Sequence, residues 1–179
     1  TVGFHAIGAY EVGGGELDTL GWYAYQTGSW FNQRHRAQAM AAEIGYQWNV
    51  GPRPWLRAGY LRGTGDEDPT DDKHGTFFQM LPTTRLYALT TAYNLINNTD
   101  LFVQALLAPP NWSIRADYHH VGLSNSMDRA YFGAGATQAK GTVSGYGARP
   151  SGGENDFGDV FEIQATRTIN SHWSITGYY

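Results

Sequence analysis

The chain has 179 residues, a net charge of -4, no cysteine, 16% charged residues, and 23 Gly, 12 Tyr, 8 Phe and 6 Trp at a mean hydropathy of -0.43. Without cysteine there are no disulfide frameworks, thiolate zinc sites or thiol nucleophiles, and the missing basic surplus argues against a nucleic-acid partner. No window approaches the ~18 to 20 consecutive apolar residues of a membrane-spanning helix, whereas many aromatics beside few charges suit a wall with one lipid face and one wet face.

In chain order, 1–12 reads as a strand and Gly13-Gly14-Gly15, which lacks the Lys and Ser/Thr of a phosphate loop, as a turn. A second strand is expected over 19–26, where the two faces look alike. From 37 to 50 the alternation is plain. Met40, Ala42, Ile44, Tyr46 and Trp48 share one parity, and Ala37, Ala39, Ala41, Glu43, Gly45 and Gln47 the other. The contrast returns over 55–62, where Leu56, Ala58 and Tyr60 alternate with Arg57 and Gly59. It returns again over 112–121, where Trp112, Ile114, Ala116 and Tyr118 alternate with Ser113, Arg115, Asp117 and His119. Strands over 100–108, 159–168 and 172–179 complete about eight. Val103, Ala105, Leu107, Phe161, Ile163, Ala165, Trp173 and Ile175 lie on their apolar faces.

Connections discriminate further. Short turns at 51–54, 109–111 and 170–171 alternate with stretches of 63–99 and 122–158, far longer than the usual ~4 to 6 residues. That asymmetry predicts an all-β, antiparallel, up-and-down transmembrane β-barrel, with tight turns on the periplasmic rim and long loops on the extracellular one. Glu43, Arg57, Arg115, Asp117 and Glu162 all take the parity opposite to the apolar set, as a barrel lumen demands. Arg36 and Arg167 break the rule at strand ends, where long side chains can snorkel. Trp48, Trp55, Trp112 and Trp173, near strand ends, fit an aromatic girdle. Two rivals remain. A soluble β-barrel module with a ligand pocket has the same alternation turned inside out, and an outer-membrane hydrolase would need a nucleophile for which no Gly-x-Ser-x-Gly element is present.

The candidate lumen residues are Arg57, Arg115, Asp117, His119, Glu43 and Glu162, with Arg34, Arg85, Lys140 and Arg149 nearer the mouths. The arginines could attract a carboxylate-bearing solute while the acids keep each contact weak. They could equally pair across strands and hold the wall's shape. Asp66, Glu67, Asp68, Asp71 and Asp72 invite a calcium reading, but counting from Asp66 puts Asp71 and Phe77 where an EF-hand needs Gly and Glu. A solvated extracellular loop is expected there. His119 and His120, adjacent on a strand, point to opposite faces and cannot chelate one metal together. No cofactor and no metal are expected, and the Gly133-Ala134-Gly135 stretch reads as a turn.

The loops carry a resemblance. The run Gly63-Thr64-Gly65-Asp66-Glu67-Asp68-Pro69, continuing through Asp72-Lys73-His74-Gly75-Thr76-Phe77 to Met80-Leu81-Pro82-Thr83, resembles the alginate export family of outer-membrane proteins. So do Leu95-Ile96-Asn97-Asn98-Thr99-Asp100-Leu101, Arg115-Ala116-Asp117-Tyr118-His119-His120, Ala130-Tyr131-Phe132 and Gly152-Gly153-Glu154-Asn155-Asp156-Phe157-Gly158-Asp159. The likeness covers about residues 17–179. It implies a non-enzymatic channel in the bacterial outer membrane, a monomeric barrel of many strands whose electropositive lumen passes a linear uronic-acid polymer. The implied partners are the lipid bilayer, an anionic polysaccharide or small anionic solute, and periplasmic export machinery. On this resemblance the chain is a single barrel domain or a fragment of one, the C-terminal half of a longer wall. Thr1 is neither Met nor the start of a signal sequence, so a leader has been removed or the N-terminus lies inside a longer protein.

Overall fold

The computed structural model describes residues 1–79, 87–132, 143 and 145–179, and all regular structure among them is β. The strands in chain order are β1 (Val2–Val12), β2 (Gly15–Trp30), β3 (Gln33–Trp48), β4 (Trp55–Gly63), β5 (Lys73–His74), β6 (Asn98–Leu107), β7 (Trp112–Gly122), β8 (Arg129–Tyr131), β9 (Ala148–Pro150), β10 (Asp156–Thr168) and β11 (Ser174–Tyr178). In one sheet β1, β2, β3, β4, β6, β7, β10 and β11 lie side by side in that order, each antiparallel to the next. β5 joins the same sheet parallel to β3, and β8 pairs β9 apart from it. The expected up-and-down order is present. The expected closure is not, because β1 and β11 stand at the two edges and do not pair with each other.

Local chemistry explains the tight end of the meander. Gly13 and Gly14 both take positive φ, 57° and 81°, the geometry of a two-residue turn whose twist matches its flanking strands. The opposite end departs from expectation. β2 runs on past Gln26 to Trp30, and β3 begins at Gln33 rather than Ala37, so their connection is short. These two strands rise beyond β4, and β5 occupies the vacated place beside Arg34 and His35.

The register sorts the two faces. Ile44 lies opposite Ala58, Ala58 opposite Val103, Val103 opposite Tyr118 and Tyr118 opposite Phe161, a continuous apolar row on one side of the sheet. This face is bare: Ile44 is 55%, Phe161 62% and Ile175 65% exposed. β2, ambiguous in sequence, is settled by its pairing with β3. Tyr23 and Tyr25 fall on the bare face opposite Met40 and Gln38, while Trp22 and Ala24 fall opposite Ala41 and Ala39 on the other. Of the girdle candidates, Trp48, Trp112 and Trp173 are exposed. Trp55 is a correction, since its indole N–H turns to the covered face and donates to Asp18 at 2.6 Å.

The covered face is where the core sits. The long connection after β4 folds back beneath the sheet instead of standing off its rim. Phe77 and Leu95 are buried with Ala37, Ala39, Ala41, Leu61 and Phe102, and Tyr87 packs against them. Three alanines in a row on β3 leave the depth that these loop side chains fill, which is why the sequence places its smallest residues on that parity. Ala88 and Tyr93 pack in the same way on Val121 and Val160.

The connections are also stitched to each other. Asn97, fully buried, donates through its amide to the carbonyls of Asn125 and Arg129, and its Oδ1 accepts the Asn125 N–H. Gly63 shows how closely the returning segment approaches, because a Cβ there would lie 1.7 Å from the Leu95 carbonyl oxygen. Gly63→Ala should therefore lower stability by about 1–3 kcal/mol or more, the overpacking range. Gly177→Ala, with nothing within 4 Å of its Cβ position, should stay within about 0.5 kcal/mol. Denaturant midpoints of the two variants check the contrast.

Candidate functional site: an ionic band beneath the returning segment

Six titratable side chains meet on the covered face of β3, β4, β7 and β10. Glu43 lies beside Gly59 in register, one row from Arg57, and their carboxylate and guanidinium form an ion pair with the Glu43 side chain 2% exposed. The Arg57 guanidinium also lies over three rings, 5.3 Å from Trp55, 5.9 Å from Tyr87 and 5.8 Å from Phe102. Arg115 Nε donates to Asp117 Oδ2 at 2.5 Å, and its terminal nitrogen donates to the Tyr87 carbonyl. Glu162 stands directly across from Asp117 in the β7–β10 register. Its carboxylate accepts the backbone N–H groups of Leu89 and Thr90, the latter at 2.7 Å.

His119 completes the band. The ring is fully buried, stacked on Phe102 at 5.5 Å, and its Nδ1 lies 3.0 and 3.1 Å from the two Asp100 oxygens. Tyr93 OH donates to the same carboxylate at 2.6 Å. Asp100 therefore takes protons from both sides, which places a proton on His119 Nδ1.

The expected lumen residues are thus brought together, with one correction. Glu43, Asp117, His119 and Glu162 do not line open space, because the segment 87–97 covers them and donates hydrogen bonds to two of the strands beneath it. Each arginine is paired. Asp100 and Tyr93 were not singled out from the sequence. Asp100 shares its parity with Phe102 and Gln104, so the signal existed, but its partner His119 becomes visible only once β6 and β7 are registered.

Of the mouth candidates, Arg34 and Asp72 pair at 3.0 Å and are both well exposed. Arg149 lies over the Phe132 ring at 5.4 Å, and Arg85 and Lys140 fall outside the described residues, as does Gly133-Ala134-Gly135. The solvated-loop expectation for the acidic run needs amending at Asp66, which is 6% exposed and whose N–H donates to Asp128. Burial and the nearby Asp128 carboxylate raise its pKa. Asp68, by contrast, accepts the Thr70 N–H and hydroxyl, and Asp71 accepts the Lys73 N–H, so these acids satisfy local turns. Asp128, absent from the sequence-based candidates, accepts the Thr76 hydroxyl at 2.6 Å as well. A cavity of about 550 Å3 opens beside this region, lined by Arg34, Arg36, Arg62 and Lys73 against Asp66, Glu67, Asp68 and Asp71.

Behind it, His74 stacks on Trp30 at 4.7 Å and its Nδ1 meets His35 Nδ1 at 2.9 Å. Burial, then the neighbouring His35, hold the His74 pKa down at about 4. The unfolded chain would protonate this ring near 6.5 while the folded one resists, so its contribution to stability is present above pH 6.5 and lost as pH falls toward 4. Denaturant midpoints measured across that window should fall for the native chain and fall less for His74→Gln.

The described residues thus form an up-and-down β-sheet, antiparallel but for β5, apolar on its bare face and ionic beneath a returning segment. The family model described as alginate export matches residues 3–177, and the chain belongs to that family. The match starts earlier than the resemblance in the sequence, taking in β1. No curated protein matches the chain.

Proposed function

We propose that the sheet is part of the wall of an outer-membrane barrel that passes an anionic polysaccharide of the uronate kind, or small anionic solutes, and that the returning segment narrows its bore. The observation that carries this reading is the bare face. Its apolar row would make a large exposed patch on a soluble protein, whereas in lipid it is the required surface. On β3 the outward apolar positions run from Met40 to Trp48, close to the ~9–11 residues a tilted strand needs to cross. Arg36 and Arg62 on that face lie near the strand ends, and Arg167 stacks over Trp112 at 5.6 Å, where charges meet headgroups.

Family membership supports export as the role. A bore of eight strands is just wide enough for wall side chains, and here it would also have to hold Phe77, Tyr87, Tyr93 and Leu95. The reading therefore requires a wider barrel, with the edges of β1 and β11 meeting further strands. A soluble ligand-binding barrel has no use for the bare apolar face, and it predicts a chain that stays monodisperse without detergent.

The electrostatic part of the proposal rests on the two arginines of the ionic band that the returning segment leaves partly open, Arg57 at 20% and Arg115 at 26% side-chain exposure. Neutralising both arginines, Arg57→Gln with Arg115→Gln, should lower anion-over-cation permeability in planar-bilayer recordings with oligouronate or chloride. Unchanged selectivity in a folded double variant would assign both arginines to the scaffold instead.

A further inference from the structure

We propose that Asp117, His119 and Glu162 form a binding site for one divalent transition-metal ion of the zinc class, seated between the sheet and the returning segment and oriented by Asp100. Asp117 and His119 are two apart on β7 and so share the covered face, and Glu162 stands opposite Asp117 on β10. One ligand atom from each can be chosen so that all three lie within 4.8 Å of one another, and all three residues are buried. Donors ~2.0–2.2 Å from one ion lie at most about 4.4 Å apart, so the three side chains would draw together by a few tenths of an ångström on loading.

Two further observations point into the same space. Asp117 Oδ1 and His119 Nε2 are buried with no hydrogen-bond partner among the described residues, an expensive state for polar atoms that lack another function. The Asp100 carboxylate fixes the proton on His119 Nδ1 and leaves Nε2, on the far side of the ring, as the nitrogen without a partner, the carboxylate–histidine arrangement that orients metal-binding imidazoles.

Charge gives an independent argument. Glu43, Asp100, Asp117 and Glu162 place four buried carboxylates in the band, and Arg57 and Arg115 supply two guanidiniums. Asp117 and Glu162 face each other directly, a destabilising cross-strand pair unless a cation sits between them. A divalent ion held there offsets that repulsion. Glu162 can serve although it accepts the Leu89 and Thr90 N–H groups, since each carboxylate oxygen keeps a second lone pair. An imidazole donor with two carboxylates favours zinc-class ions over calcium, which takes oxygen ligands only. The ion would fasten the returning segment to the wall through Glu162.

The site rests on the register of β7 and β10, not on the transport reading, so its test needs no conductance. The full chain, in detergent or in whatever medium keeps it monodisperse, is stripped with chelator, dialysed against metal-free buffer and titrated with zinc and with cobalt. The expected result is one equivalent bound per chain, with cobalt giving visible ligand-field bands. His119→Gln and Asp117→Asn should each abolish those bands, and Asp100→Asn should weaken binding by about 10- to 100-fold. His120→Gln, on the opposite face, should bind as the native chain does. Near-ultraviolet circular dichroism identifies the folded variants, and Asp117→Asn, nearly isosteric, serves if His119→Gln does not fold. Folded native chain that binds neither ion, binding of calcium alone, or full binding retained by folded Asp117→Asn or His119→Gln would overturn the site.

Discussion

Glu43→Ala should lower stability by about 3 kcal/mol, the low end of the ~3–5 kcal/mol expected when one partner of a buried ion pair is removed. The loss follows from what stays behind. Arg57 would remain beneath the returning segment, against Trp55, Tyr87 and Phe102, without the carboxylate that neutralises it. The low end applies because a fifth of the Arg57 side chain is open, with 20% exposure. Replacing both partners, Glu43→Leu with Arg57→Met, should recover most of the loss, since apolar residues of similar volume often substitute for a buried pair at little cost. Denaturant unfolding of the two single variants and the double gives the coupling energy directly. A single-variant loss below about 0.5 kcal/mol would mean that the pair is bathed in water and that the segment above it does not seal the face.

Much of the sheet was legible because β3, β4 and β7 separate their side chains by size and charge at a period of two. Ala41 and Glu43 against Ala42 and Ile44 is enough to assign a face, and the structure places each of these on the side that the parity predicts. β2 resisted because Trp22 and Tyr23, of opposite parity, are both large aromatics, and only cross-strand register separates them. The returning segment was misread for a different reason. Length alone said that 63–99 is a long loop, and the usual account of such loops puts them in water. The apolar content of that stretch, with Phe77, Tyr87, Tyr93, Leu95 and Ile96, was the signal against it. The site shows the limit most clearly. Asp117, His119 and Glu162 were each assigned to the covered parity from sequence, yet their meeting depends on pairing β7 with β10 across the long second connection. No local pattern encodes that register. Asp100 and Tyr93 lay further out of reach, because a loop tyrosine gives no hint that it will donate to a strand carboxylate.

Excising the returning segment should change conduction more than any point substitution if it narrows the bore. Replacing residues 66–94 by a short Gly-Ser linker removes Phe77 and Tyr87 from the alanine-lined floor of β3 and withdraws the N–H donors of Leu89 and Thr90 from Glu162. The main sheet pairing does not depend on that segment, since β1 through β4 and β6, β7, β10 and β11 are bonded strand to strand. Only β5 is lost from the sheet. The variant should therefore keep its β-sheet circular dichroism and its insertion into lipid. Its stability should fall by about 1.5–3 kcal/mol for each large apolar side chain withdrawn from the covered face. Single-channel conductance should rise several-fold, because a barrel's open cross-section is set by whatever folds inside the wall. Selectivity should shift as well, with Glu43, Asp117 and Glu162 newly wetted and Arg115 freed from the Tyr87 carbonyl. If conductance stays at the native value in a folded, inserted variant, the segment lies beside the ion path instead of across it, and the narrowing of the bore must be assigned to other residues.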